Sequence, residues 1–290
     1  GKELINMTYQ EYIEIFENRH FYLEHSEETI RTYKVWIRIF FDSTNKNVED
    51  IVSSDVSRFL MSNKKWSSST KNTILSSLNS FYSTLIKLDL VKMDNPCDNV
   101  DVPKVKNEEK IPLNKEEQNI LIRNGKNARD KAILTFMFST GVRVGELINI
   151  TLNQYLNMGE LRGITLTETK GDKERTIYLN DRCVQAIEDY LLIRKETDCD
   201  KLFVSNGGKP MDRTCMSRTI KTIARRSGAF EEDRVSKLCN HLLRTSFATT
   251  KAEEGVTVEV LSKAMGHSTT AVTSKVYVKI GQDAIRMAMC

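Results

Sequence analysis

Apolar and polar positions alternate along most of this chain with a helical period. From Tyr9 to Arg19, Tyr12, Ile13 and Phe16 fall on one face. Ser26-Glu27-Glu28-Thr29 is a helix start, with Ser26 as the cap and acids in the first turn. The helix that follows carries Ile30, Tyr33, Ile37 and Phe40/Phe41 at helical spacing. Val48 to Asn63 reads as one helix or a pair. Ser67 to Thr70 then caps a long helix bearing Ile74, Leu78, Phe81, Leu85 and Leu88. Four helices with short connections predict a compact bundle.

The pattern breaks over about 93–113, where Asp94-Asn95-Pro96, Pro103-Lys104 and Ile111-Pro112 punctuate a polar stretch. Proline blocks helix continuation, so this reads as an extended linker. Helical spacing resumes with Asn114 capping Lys115–Arg123, and again over Ala128–Ser139. One segment departs from it. Ile164-Thr165-Leu166-Thr167 alternates apolar and polar, Thr169 to Lys173 is turn-forming, and Arg175 to Leu179 alternates again, which predicts a hairpin with Gly171-Asp172 near its tip. Further helices are expected at Asp181–Arg194, Arg213–Arg226, His241–Glu254, Val258–Met265 and Thr270–Val278. The expected fold class is therefore mainly α with a small antiparallel sheet (α+β), in two domains: 1–98, a linker over 99–112, and 113–290.

Composition changes this picture little. Of 290 residues, 40% are hydrophobic and 28% charged, the balance of a globular protein. No run of about 18 apolar residues predicts a membrane span, and the start lacks the apolar core of a secretion signal. The six cysteines are scattered without a C-x-x-C pair. A zinc site or disulfide framework is not expected, and a reducing cytoplasm is. Net charge is +4. Residues 1–108 hold 14 Lys+Arg against 16 Asp+Glu, and the remainder 29 against 23. The basic excess is thus confined to the second domain, compatible with a polyanionic partner.

Candidate chemistry also concentrates there. Arg143 lies in Thr140-Gly141-Val142-Arg143-Val144-Gly145-Glu146-Leu147, and Lys170 at the hairpin turn. His241 and Arg244 share one helical face at i,i+3. His267 follows Gly266, and Tyr277, the only tyrosine after Tyr190, comes ten residues later. Each has an ordinary reading by itself: a surface arginine paired with Glu146, a solvated turn lysine, a histidine at a helix end, a core tyrosine. Two of the four histidines fall in these segments; the other two, His20 and His25, read as surface residues of the bundle.

The order Arg, Lys, His-x-x-Arg, Gly-His, Tyr resembles that of the tyrosine recombinases, the phage-integrase family. Residues 113–280 carry the likeness; the bundle matches by size, position and helical character. The interval from His267 to Tyr277 is one residue longer than the family pattern, and 13 residues follow Tyr277.

The resemblance implies an N-terminal helical-bundle core-binding domain for DNA, followed by a tyrosine-recombinase catalytic domain. It implies site-specific DNA recombination, integration or excision, through a 3′-phosphotyrosyl intermediate and a Holliday junction. Tyr277 would be the nucleophile, Arg143 and Arg244 the phosphate clamp, His241 the proton acceptor, Lys170 the leaving-group acid and His267 a phosphate hydrogen-bond donor. Two guanidinium forks neutralise a phosphodiester transition state without a divalent ion, so no metal, cofactor or ATP is expected. The implied partners are double-stranded DNA bearing specific recombination sites and a homo-tetramer on that DNA. Accessory DNA-bending or directionality proteins are compatible with this, and a membrane partner is not.

Arg31, Lys34 and Lys71 lie on or beside the helices expected in the groove. Lys64, Lys65 and Lys71 flank the helix start at Ser67 to Ser69, where lysines and a helix N-terminus both favour phosphate. Two alternatives share parts of this pattern: a type IB topoisomerase, with the same chemistry on one duplex, and a DNA-binding protein that keeps the fold without catalysis.

Overall fold

The computed structural model describes residues 7–101, 103–104, 111–167, 174–266 and 273–274. The chain divides into two compact units, Gly1–Glu108 and Glu109–Cys290.

The first unit holds four helices: α1 (Tyr9–Tyr22), α2 (Glu27–Thr44), α3 (Ser53–Ser62) and α4 (Ser68–Lys87). The caps foreseen from the sequence are present. Ser26 Oγ accepts the Thr29 N–H, and Ser67 Oγ accepts the Thr70 N–H. α2 ends where Asn45 turns left-handed at φ 50°. A single turn of 3-10 helix, Val48–Asp50, separates α2 from α3. The four helices close over Phe16, Phe40, Phe41, Phe81 and Tyr82, all fully buried. Phe81 meets both Phe16 and Phe41 edge-on, each with ring centroids 5.8 Å apart. Val91, Cys97 and Val100 extend this core beyond α4.

One expectation fails here. His20 is not a surface residue. It continues the apolar stripe of α1 one turn beyond Phe16 and is 5% exposed. Its ring packs on Phe16 and its Nδ1 bonds Nδ1 of His25 at 2.5 Å. Its Nε2 faces Thr84 and Ser80 of α4.

The second unit is built around α6 (Ala128–Thr140), whose Ile133, Leu134, Phe136 and Met137 are buried. Against it pack α5 (Lys115–Arg123), α9 (Asp181–Leu191) and α12 (Asn240–Glu253). Short helices α7 (Val144–Leu147) and α8 (Leu152–Leu156) follow α6. The hairpin pairs β1 (Gly163–Thr167) with β2 (Glu174–Tyr178), antiparallel, with Leu166 opposite Arg175. Helices α10 (Arg213–Ser227), α11 (Glu232–Lys237) and α13 (Val258–Met265) complete the described elements, and α13 packs on β2. Thr273 and Ser274, within the last expected helix, are helical.

Asn114 caps α5 with a reciprocal Glu117 carboxylate, a pattern readable from the sequence. The short helices α7, α8 and α11 were not foreseen. Of two isolated bridges, Thr151 with Lys201 ties the segment after α9 to the start of α8, and Val204 with Pro210 closes that segment on itself.

Candidate active site

The site is organised by the C-terminal end of α13. The last carbonyl groups of any helix lack intrahelical partners and carry the negative end of its dipole. Here three consecutive carbonyl oxygens are taken by three arginines from three other elements. Arg175 Nη1, on β2, donates to Ala264 O. Arg244 Nη2, on α12, donates to Met265 O. Arg143 Nη2, at the start of α7, donates to Gly266 O at 3.0 Å. Gly266 closes the helix with left-handed φ 63°.

Each arginine is also held from behind. Arg244 is 4% exposed and donates through Nη1 to the carbonyl oxygen of Gly141. Gly141 ends α6 at φ 61°, a conformation that favours glycine, and a Cβ there would clash with the Phe247 ring. Arg143 donates through Nη1 to Glu146 Oε1 at 2.8 Å, and its backbone N–H meets Glu146 Oε2 at 2.7 Å. Glu146 therefore caps α7 and aims the guanidinium with the same carboxylate. Arg175 Nη2 completes the arrangement at 2.7 Å from Glu146 Oε2.

Glu146 is mostly buried, with an 11% exposed side chain. Burial alone would push its carboxyl up. The Arg175 charge, then the Arg143 backbone N–H and guanidinium, outweigh that and hold it below the usual carboxylate range. A charged carboxylate between two guanidinium groups is consequently the resting state.

Of the candidate catalytic set, Arg143 and Arg244 are brought together on neighbouring carbonyls. His241 is exposed in the first turn of α12, one turn before Arg244. Lys170, His267 and Tyr277 lie outside the described residues. In sequence Lys170 falls between Thr167, the last residue of β1, and Glu174, the first of β2, and His267 is the residue after Gly266. Among the described residues no cluster of three or more His, Cys, Asp or Glu side chains could hold a metal ion. No helix among them is long and apolar enough to cross a membrane.

The candidate DNA-contacting residues of the first unit are placed as follows. Arg31 is exposed on α2, Lys64 and Lys65 are exposed between α3 and α4, and Lys71 is partly exposed in the first turn of α4. Lys34 is paired with Glu17 of α1 at 2.5 Å. Sequence reasoning assigned no role to Arg175. It lay inside the quoted hairpin motif, but its partners are remote in sequence.

A helical bundle, then a mainly helical unit in which buried Arg244 and Arg175 converge with half-exposed Arg143 on one helix end, fits the class of DNA breaking-rejoining enzymes. The chain belongs to the phage integrase family: that family's model matches residues 111–283, and a model of the phage integrase N-terminal SAM-like domain matches residues 12–91. Tyrosine recombinase XerC of Leptospira interrogans serovar copenhageni is 27% identical over 305 residues, covering 99% of this chain and 93% of the relative. Tyrosine recombinase XerD of Shewanella oneidensis is 26% identical over 276 residues, covering 90% and 89%. Among solved structures, XerA recombinase is 27% identical with a TM-score of 0.55, covering 96% of each chain. The Tn1549 transposon integrase, solved with a circular intermediate DNA, has the same fold at a TM-score of 0.74. It is 20% identical, covering 93% of this chain and 95% of that one.

Proposed function

We propose that this chain performs site-specific DNA recombination with Tyr277 as the nucleophile and Arg143, Arg244, Lys170, His241 and His267 as the assisting groups. The observation that carries this reading is the convergence of Arg143 and Arg244 on the Gly266 and Met265 carbonyls, immediately before His267. Two guanidinium forks held side by side fit the two non-bridging oxygens of one phosphodiester. Their five N–H donors each allow carbonyl and phosphate bonds together.

In this reading the Tyr277 hydroxyl attacks phosphorus, forming a tyrosyl–phosphate bond as the bond to the 5′-oxygen breaks. A free tyrosine hydroxyl is protonated at neutral pH, with a pKa of about 10, so its proton must leave. His241 accepts it. Lys170 protonates the departing 5′-oxygen, while the two arginines stabilise charge that builds on the phosphate. The 3′-phosphotyrosyl bond conserves the energy of the broken ester, so a new 5′-hydroxyl reverses the step on another strand without ATP.

The first unit, about 1–98, would bind the duplex as well as the second, about 113–290, with 99–112 joining them in sequence. Arg31, Lys64, Lys65 and Lys71 would supply backbone contacts, and Lys34 would have to exchange Glu17 for phosphate. Strand exchange needs two duplexes, hence four subunits on DNA, in a cytoplasmic setting. Accessory DNA-bending proteins fit the same scheme.

The test is exchange between two labelled DNA fragments carrying the recognition site. Recombinant fragments and a Holliday junction are expected from the wild type and neither from Tyr277→Phe. Relaxation of supercoils without exchange would assign the chain to the topoisomerase alternative.

A further inference from the structure

Arg175 is an anomaly for a sheet face. On β2 it shares a face with buried Ile177, where alternation calls for an apolar side chain. Its side chain is only 8% exposed. Burying a guanidinium is costly unless it is paired and hydrogen-bonded. Its two ends bind different elements: Nη2 takes Glu146 of α7, and Nη1 takes the Ala264 carbonyl of α13. An ordinary strand-to-core packing role would need neither.

Three parts of the proposed site therefore meet at one side chain. β2 begins four residues after Lys170 in the sequence. Glu146 is the carboxylate that aims Arg143. Ala264 starts the run of carbonyls that also holds Arg244 and Arg143. Resting on the recombinase reading, we infer that Arg175 is a positioning residue for DNA cleavage. It locks the hairpin to the α7 and α13 ends, so that the leaving-group acid and the phosphate clamp are set in one register.

The chemistry of the bridge demands arginine. A planar fork reaches two acceptors at once, whereas a lysine ammonium on one stem behaves as a point charge. The bridge also sets the charge of Glu146. Facing that carboxylate are Arg143 from the start of α7 and Arg175 from β2, with Arg213 of α10 lying over the neighbouring Gly145. Removing Arg175 takes away the strongest influence that keeps Glu146 ionised despite burial.

The experiment measures single-turnover cleavage of a nicked suicide substrate, DNA affinity and the pH dependence of the cleavage rate, in full-length protein. For Arg175→Met the cleavage rate falls about 100-fold, the scale of a roughly 1 Å misplacement at a reacting centre. DNA affinity stays at the wild-type value, and the acidic limb of the pH profile moves upward as Glu146 protonates more readily. Arg175→Lys recovers part of the rate and of the pH profile. Wild-type cleavage in Arg175→Met, a defect confined to DNA affinity, or an unshifted acidic limb would each overturn the inference.

If Arg175→Met does not fold, Arg175→Lys decides alone: slowed cleavage with a shifted limb supports the bridge, and wild-type behaviour refutes it. A wild-type protein that forms no covalent adduct fails the recombinase reading itself, whereas full cleavage in the variants fails only the bridge.

Discussion

Arg143 Nη2 reaches across 123 positions of sequence to the Gly266 carbonyl oxygen, at 3.0 Å. The arginine proposed to hold the scissile phosphate is thus seated on the turn that leads into His267. Its other nitrogen and its backbone N–H are held by Glu146. Replacing the fork with a point charge should keep attraction to DNA but lose the two-sided seat. We expect Arg143→Lys to bind DNA with near wild-type affinity and to cleave on the order of 100-fold more slowly, the usual cost of one lost charge-stabilising donor. Single-turnover cleavage at saturating protein checks this; a wild-type rate would contradict it.

Glu146 gives a stability prediction with a defined pH sign. Its carboxyl is held below the usual range in the folded protein. The stabilisation is therefore fully present above the unfolded carboxylate value, about 4.5, and is lost as the pH falls through the lower folded value. Glu146→Ala leaves Arg175 as a buried charge without its carboxylate and should cost about 3 kcal/mol at neutral pH. Urea unfolding at neutral pH measures that loss. Repeating it for Glu146→Gln down the acid range should show the gap to wild type narrowing.

Two glycines beside the arginines should behave differently. Gly141 needs a left-handed backbone, and a Cβ there would meet the Phe247 ring. Its carbonyl also holds Arg244. Gly141→Ala should cost about 3 kcal/mol through strain and overpacking together. At Gly145 a Cβ would lie 2.7 Å from Nη2 of Arg213, the far end of a flexible side chain. Gly145→Ala should therefore be tolerated. Thermal unfolding of the two variants side by side tests the contrast, and equal losses would refute it.

His20 predicts an acid-sensitive first unit. Burial, then the charges of His25 and Arg19, lower its pKa from 6.5. A depressed histidine favours the unfolded state as protons become available. Stability is thus complete above about pH 6.5 and declines as the pH falls toward and through the folded value. Protection factors of the α1 amides, with the intrinsic pH dependence of exchange divided out, should fall over that window in wild type and not in His20→Gln. An unchanged pH response in the variant would place the sensitivity elsewhere.

Much of the helical order was legible because caps and stripes are local signals. Ser26, Ser67 and Asn114 announce their helices within four residues, and the hairpin alternates on both sides of its turn. The helices α7, α8 and α11 are four to six residues long, too short to repeat a helical period. His20 was misread because a polar residue type outweighed its place on the Tyr12, Ile13, Phe16 stripe. The arginine seats were invisible for a different reason. Ala264, Met265 and Gly266 act through backbone oxygens, which no side-chain pattern records. The Arg–Lys–His–Arg–His–Tyr order could be read directly, but what holds the arginines could not.

The central claim is that Tyr277 forms the bond to DNA. The most direct measurement traps the protein on a nicked suicide substrate in EDTA, digests the adduct with protease, and locates the nucleotide-bearing peptide by mass spectrometry. The expected result is an adduct formed without metal, with the phosphate on the peptide containing Tyr277. A phosphate on any other residue, or an adduct that persists in Tyr277→Phe, would contradict the account.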